Sequence, residues 1–512
     1  MKKYLLIFSA VSLTLTVEQA QAQVTFQRIL QPPNAFGKVL QSKYPPYEYI
    51  SFTYEIFGAY LSKYDTNNVW LWTKTYGTGQ YVKPADCLQT SDGGFIIAGG
   101  ISLPSNNNDG CLIKTDSNGN LLWTKVYGDT SSSEAFGSIS QTNDGGYILA
   151  GSIKIGNGNP DAYIVKTDSS GNLLWTKYFG QTGANESPYD IIQTSNGGFL
   201  LTGRDFSNGK MLVRMDSIGN ILWHKDYGAG NAYSIIQTTN GNFLLACQAS
   251  AGFGPASLME IDINGNVLWS KAYGISYENI YSINKTNDGG YICAGESSFG
   301  SGGSTLLLKV DSIGNLILSR IYGKQYGDYG RDAIQTRDGG YLILGDIDAY
   351  VFPGDPADGY LIKTDSLGVS GCNENNAPVN VNIITVTSSN IPQITGTLGA
   401  MNTYSITTYA PSYDSVLCAS IVAIETITSI NNIVTISPNP FSSSTTLQSD
   451  ILFRNTTLTV YNSYGQQVKQ IKNISGQEIK LQRDNLPSGL YFIRLTEGDK
   501  TLATDKLIIA DN

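Results

Sequence analysis

Gly145-Gly146-Tyr147-Ile148-Leu149-Ala150-Gly151, then Lys166-Thr167-Asp168, then Gly171-Asn172-Leu173-Leu174-Trp175, is the clearest copy of a cassette that recurs seven times between residues 24 and 365. Its aspartate marks the period at Asp65, Asp116, Asp168, Asp216, Asp262, Asp311 and Asp365, 46 to 54 residues apart. A fixed period of that length in β-forming sequence means that each unit is one supersecondary element, able to bury its faces only against its neighbours. Around the quoted copy, four runs of β-formers lie at 137–142, 146–151, 163–168 and 172–178. Asn143-Asp144-Gly145 and Ser169-Ser170-Gly171 join neighbouring runs with the residue types that hairpins at positive φ require. Four antiparallel strands in each of seven units predict an all-β fold, a seven-bladed β-propeller.

The ends of the array fit a closed ring. The first cassette is degenerate, with Tyr47 to Thr53 replacing the Gly-Tyr-Ile-Leu-Ala-Gly run. The last stops at Asp365-Ser366-Leu367-Gly368 without its fourth strand, while the array is preceded by a spare one, Val24-Thr25-Phe26-Gln27-Arg28-Ile29-Leu30. That strand is expected to complete the seventh blade and remove an exposed edge. Trp72, Trp123, Trp175, Trp223 and Trp269, with Leu318 once in their place, read as packing between blades rather than a cofactor box.

The 512 residues carry a net charge of −9 with no Lys/Arg run, which disfavours nucleic acid and anionic membrane surfaces as partners. Met1-Lys2-Lys3, an apolar stretch over 4–17 and Ala20-Gln21-Ala22 predict a signal peptide at 1–22. No later stretch approaches the ~20 apolar residues of a spanning helix, so no membrane insertion is expected. Cys87, Cys111, Cys247 and Cys293 fall at apolar repeat positions and read as small buried hydrophobes. Cys372 and Cys418 lie outside the repeats and are expected to pair. The expected organisation is a propeller over 23–369, a Thr/Ser/Asn-rich β spacer and linker over 370–435, and a small β-sandwich over 436–512.

Connections of variable length, second-to-third strand and fourth-to-first, emerge on one face around the channel, where function on such scaffolds gathers. Tyr81, Tyr189, Tyr233, Tyr277, Tyr326, Tyr329 and Tyr350, with Asp346 and Asp348, are the candidate ligand residues there. Tyrosine over polar loops suits sugar rings or protein surfaces. Catalytic groups are scarce: His224 is the one histidine, and no His/Cys set has zinc spacing. Asp116-Ser117-Asn118-Gly119-Asn120 and Asp262-Ile263-Asn264-Gly265-Asn266 share residue types with calcium loops. They place Gly fourth rather than sixth and lack the glutamate at twelve, so they read as hairpin turns; no cofactor is expected, with calcium at these loops the alternative. Loop carboxylates such as Asp346 and Asp348 keep a polysaccharide hydrolase or lyase as the alternative to a binding module, with a structural surface component third.

The cassette resembles repeats of bacterial and archaeal cell-surface propellers. It is more distantly similar to the tryptophan-docking blades of quinoprotein propellers, whose longer spacing means that quinone binding does not carry over. From residue 436 the chain resembles a different family, the type A C-terminal sorting domain of the type IX secretion system. The matching residues are Pro438-Asn439-Pro440-Phe441, Leu458-Thr459-Val460-Tyr461-Asn462-Ser463-Tyr464-Gly465, Leu486-Pro487-Ser488-Gly489-Leu490-Tyr491, Gly498 and Lys506. The resemblance implies a sorting signal carried by Pro438, Asn439, Pro440, Gly465, Gly489, Tyr491 and Lys506. It also implies the secretion machinery of a Bacteroidota-type cell as partner, and a secreted or cell-surface destination. A carbohydrate-binding sandwich is the other reading of this segment. Together these features point to a secreted or surface-displayed binding or adhesion propeller, its ligand an extracellular glycan or protein.

Overall fold

The computed structural model describes residues 23–510 apart from 31–35, 56–57, 78–81, 103–107, 129–130, 157, 181–184, 206–208, 251–253, 275–276, 299–302, 324–326, 348–357, 372–373, 378, 391–393, 397–399, 404–407, 410–414, 423–433, 463–466 and 498–499. Residues 1–22, expected to be a signal peptide, lie outside the described residues, as do Cys372, Gly465, Tyr81, Tyr326, Tyr350 and Asp348. All regular elements among the described residues are strands.

Seven antiparallel sheets carry the repeats, one per cassette. Their first strands, Phe36–Gln41, Val82–Gln89, Ser132–Gln141, Glu186–Gln193, Ala232–Gln237, Glu278–Lys285 and Tyr329–Gln335, neighbour one another around a central axis. We number the blades 1 to 7 in that order. Second strands such as Phe95–Ser102 and Phe243–Gln248 are buried along nearly their whole length, because both faces meet adjacent blades. Fourth strands lie further out and mix exposed and buried positions. Gln23–Leu30 pairs antiparallel with Asp358–Thr364 and supplies the fourth strand of blade 7, closing the ring from the opposite end of the chain.

The repeat motifs are joints between blades. The tryptophan rings lie over the glycine of the next blade's outer hairpin, Trp123 at Gly171 and Trp269 at Gly314, leaving no room for a β-carbon. Four residues after Trp72, Trp123 and Trp269 a tyrosine hydroxyl donates to that same glycine's carbonyl: Tyr76 to Gly119, Tyr127 to Gly171 and Tyr273 to Gly314, at 2.6–2.7 Å. In blade 3 Phe179 holds this position, and the buried His224 packs edge-on against it.

Turn chemistry explains the remaining motif residues. In the Lys-Thr-Asp hairpins the aspartate folds back on its own turn. Asp116 Oδ1 accepts from the amides of Asn118 and Asn120, and Oδ2 from Asn120 Nδ2. Asp262 does the same, so both carboxylates of the loops compared with calcium sites are taken up by the hairpin. The motif lysine is buried and pairs with the aspartate of the Asp-Gly-Gly turn: Lys114 with Asp92, Lys166 with Asp144, Lys363 with Asp338. Where blades 4 and 5 have Asn in that turn, the partner changes to Arg214 and Glu260.

These turns govern acid stability. Burial pushes Asp144 up, but hydrogen bonds from Thr142, Lys166 and the Gly146 amide, with the Lys166 charge, outweigh it and hold the carboxyl at about 2. Asp288 sits at about 2 against Lys309 for the same reasons, and Asp92, Asp116, Asp168, Asp216, Asp262 and Asp311 are also lowered. A depressed carboxyl stabilises the fold fully above its unfolded value near 4 and ceases to as pH falls through its folded value. The melting temperature is therefore expected to be flat from about pH 7 to 5 and to fall steadily between about pH 4 and 2. A thermal scan series checks this, and a Tm unchanged at pH 2 would refute the account.

One region departs from expectation. The stretch read as a spacer is, over 374–422, a belt: it runs backwards around the ring and adds a fifth, outermost strand to every blade. Glu374–Asn376 pairs with blade 6, Val381–Ile383 with blade 5, Ser389–Asn390 with blade 4 and Ile394–Gly396 with blade 3. Ala400–Thr403 follows on blade 2, Thr408–Tyr409 on blade 1, and Ser415–Val422 on the closing strand Gln23–Leu30. The compact unit is accordingly Gln23–Val422. Gln27 of the closing strand touches the chain near both the start and the finish of the belt: its Nε2 donates to Ser370 Oγ, four residues before the belt, at 2.8 Å, and its backbone lies opposite that of Cys418 near the belt's end. The cysteine pair itself lies partly outside the described residues. Cys87, Cys111, Cys247 and Cys293 are buried free thiols.

The C-terminal unit is a separate five-stranded sheet of Val434–Ser437, Ser444–Asn462, Gln467–Gln482, Gly489–Glu497 and Lys500–Ile509. The long strand Ser444–Asn462 pairs with Val434–Ser437 through its first half and with Gly489–Glu497 through its second. The sheet folds over a core including Phe441, Leu458, Tyr491 and Leu507.

Candidate functional site

Six of the seven inner strands carry a one-residue bulge at the same place, where the register with the second strand slips. A bulge leaves one residue without a partner and re-aims its side chain. The bulged residues are Ala85, Gly137, Tyr189, Tyr233, Tyr281 and Arg331 in blades 2 to 7; blade 1 keeps its register. Blades 2 and 3 thus present small residues and blades 4 to 7 large ones, so one side of the channel mouth bears an aromatic arc.

The arc is continuous. Tyr189 stacks on Tyr233 with ring centres 5.4 Å apart, and Tyr233 meets Tyr281 edge-on at 5.0 Å. The Arg331 guanidinium lies 5.4 Å from the Tyr281 ring centre and 5.3 Å from that of Tyr329. Second-strand residues hold the arc from behind. Tyr281 Oη and Asn279 Nδ2 both donate to Glu296 Oε1 at 2.6 Å, and Asn279 also reaches Tyr277 Oη at 2.9 Å. Arg331 Nε donates to Asp346 Oδ2 at 2.7 Å. Asn231 Nδ2 donates to Tyr233 Oη at 2.7 Å. Burial raises the Tyr233 hydroxyl to about 12, and it raises Tyr189, Tyr277 and Tyr281, so all four stay neutral donors. The Oδ1 atoms of Asn231 and Asn279 are buried without a donor among the described residues.

One residue deeper, Lys38, Asp86, Ser138, Asp190, Ser234, Ser282 and Asp332 form the next layer around the axis. Each aspartate there receives the amide of the following blade: Ile139 to Asp86, Ile235 to Asp190 and Val39 to Asp332, at 2.9–3.2 Å. Lys38 Nζ sits 2.7 Å from Asp86. Burial raises Asp190 and Asp332 despite the opposing Lys38 charge. This layer ties the blades together.

Of the residues singled out in the sequence, Tyr189, Tyr233, Tyr277 and Tyr329 converge at this mouth. Asp346 is there too, but only 2% exposed and bound to Arg331, which leaves it ill suited to act as a free base. Tyr281, Arg331, Asn279 and Glu296 complete the mouth and are not among the sequence candidates. The available signal was positional: Tyr189, Tyr233, Tyr281 and Arg331 occupy one slot in four successive cassettes.

In the C-terminal unit the Pro-Asn-Pro-Phe segment is fastened to the last strand. Asn439 Nδ2 donates to the Lys506 carbonyl at 2.8 Å, and Asn439 Oδ1 accepts from the Ile508 amide at 2.7 Å. Phe441 bridges to Ile509, and Tyr491 Oη donates to the Pro487 carbonyl. Residues 435–510 match the family described as "Secretion system C-terminal sorting domain". This unit is a type IX sorting domain. A sorting domain implies contact with the type IX machinery and directs export, so the protein is secreted or displayed at the cell surface. Among its residues, Asn439 and Tyr491 hold turns together, while Lys506 is exposed and offers only its backbone to Asn439.

No curated protein matches the chain. Among solved structures, PorZ, a surface component of the type IX secretion system of Porphyromonas gingivalis, is 11% identical with a TM-score of 0.39 over 90% of this chain. The chain spans 58% of the PorZ chain. Sqt1 from Chaetomium thermophilum is 12% identical over 52% of this chain and 69% of its own, with a TM-score of 0.33. The extracellular domain of BT3049 from B. thetaiotaomicron is 10% identical over 93% and 72%, with a TM-score of 0.21. Similarities this weak carry no argument about ligand or activity.

Proposed function

We propose that this chain is a binding or adhesion propeller of a Bacteroidota-type cell, made with a cleaved signal peptide, whose channel mouth engages an extracellular glycan or protein. The observation that supports the reading is the half-ring of Tyr189, Tyr233, Tyr281 and Arg331 opposite the small Ala85 and Gly137. Such an arc offers ring faces and edges for stacking beside polar groups for hydrogen bonding, the combination that grips a sugar chain or an extended loop.

The test is a glycan array followed by titration of the exported chain. Wild type is expected to select a ligand, and Tyr189→Ala with Tyr233→Ala to weaken it at least about tenfold. Circular dichroism melts keep loss of folding apart from loss of binding. A blank array sends the search to protein partners by surface cross-linking. Unchanged affinity in the double variant removes the arc as the site.

A further inference from the structure

At the other end of the channel each inner strand finishes in Gln-Thr or Gln-Ser, except in blade 6, where Lys285 precedes Thr286. The six glutamines form a clasp around the opening. Each Nε2 donates to the carbonyl four or six residues on in its own turn: Gln89 to Gly93, Gln141 to Gly145, Gln193 to Gly197, Gln237 to Gly241, Gln335 to Gly339 and Gln41 to Tyr47, at 3.0–3.3 Å. Each Oε1 accepts a backbone amide from the preceding blade: Lys43 to Gln89, Ser91 to Gln141, Asn143 to Gln193, Ser195 to Gln237, Asn287 to Gln335 and Arg337 to Gln41, at 2.8–3.2 Å. The ring therefore has seven joints and six latches.

The open joint lies between blades 5 and 6. By position, the amide of Thr239 is the one a seventh glutamine would accept, and Lys285 stands in that glutamine's place. An ammonium has donors and no acceptor, so Lys285 cannot accept the Thr239 amide as a glutamine would. Lys285 and Thr239 are both exposed, and Lys285 has no ion pair among the described residues. The joint borders a cavity of about 990 Å³ whose lining includes Lys43, Lys285 and Arg337 and no acidic residue. In a chain of net charge −9 that is a local reversal of sign.

We propose that this end of the channel is an anion-binding site. A carboxylate, sulfate or phosphate group would be held between Lys285 Nζ and the Thr239 amide, completing the clasp in place of the missing glutamine. Charge-assisted bonds to an ammonium and an amide are the chemistry that selects such groups. The site lies at the opposite end of the inner strands from the tyrosine arc and does not depend on it.

Titration calorimetry on the exported chain at low salt, with inorganic sulfate, inorganic phosphate and an oligogalacturonate, separates the sources: uronate binding alone marks a carboxylate polysaccharide, and binding of all three a general anion site. Affinity is expected to fall as sodium chloride rises. Lys285→Gln is the decisive variant, because it supplies the seventh latch. It is expected to raise Tm by roughly 1–2 °C and to weaken anion binding about ten- to a hundredfold. Lys285→Ala should lose binding without gaining Tm. Wild type that binds none of the three, or Lys285→Gln that binds them undiminished, overturns the proposal. A Lys285→Gln protein less stable than wild type would overturn the missing-latch argument.

Discussion

Deleting residues 374–422, with the sorting domain rejoined directly, is expected to lower the melting temperature by more than about 10 °C and to make the protein aggregate. Without the belt every fourth strand presents a bare edge of amides and carbonyls, which is a template for pairing with other chains. The contribution is uneven. Six belt strands pair over only two to four positions each, whereas Ser415–Val422 pairs with seven positions of Gln23–Leu30. Gln23–Leu30 is also the strand that closes the ring, and it buries Phe26 and Leu30. At about 0.5–1.5 kcal/mol per backbone hydrogen bond, losing that one pairing costs several kcal/mol and frees the closure to open. Removing residues 415–422 alone should therefore reproduce most of the loss. Calorimetry and light scattering read both variants, and a belt-less protein that scatters no more light than the full chain and melts within about 2 °C of it would overturn this role for the belt.

Asp190→Ala is expected to cost about 3–5 kcal/mol. This carboxylate is shared by three blades. Oδ1 accepts from Ser138 Oγ of blade 3 and from its own blade's Ile191 amide, and Oδ2 accepts from Ser234 Oγ and the Ile235 amide of blade 5, all at 2.9–3.0 Å. Alanine strips the acceptor from the two serine hydroxyls and the Ile235 amide, leaves the Ile191 amide only a longer bond to Ser138 Oγ at 3.4 Å, and removes a counter-charge from Lys38. Asp190→Asn keeps one oxygen and should cost less, about 1–2 kcal/mol. Chemical denaturation compares the three. Were the channel aspartates catalytic rather than structural, Asp190→Asn would leave the unfolding midpoint in place, and that outcome would count against the assignment made here.

The tyrosine arc and the clasp were differently legible. Tyr189 and Tyr233 stand out as aromatics near variable connections. Tyr281 and Arg331 emerge only when cassettes are aligned on the bulge, a backbone irregularity that no residue type announces. The glutamine clasp was written in the sequence as recurring Gln-Thr pairs. Its meaning depended on seeing each glutamine reach the blade before it.

By itself the sequence determined the seven-fold repeat, the four strands in each unit, the closing strand from the other end of the chain and the sorting domain. These rest on side-chain patterns: turn residues at fixed offsets, aromatic packing positions and the Pro-Asn-Pro-Phe run. Tertiary structure alone decided the belt. Six of its seven pairings are made by backbone amides and carbonyls over two to four residues, which almost any Thr-, Ser- and Asn-rich stretch can supply. Backbone pairing this short imposes no side-chain period, and Val381–Ile383 is exposed along its whole length, so only the blade edges these strands cover reveal where they go.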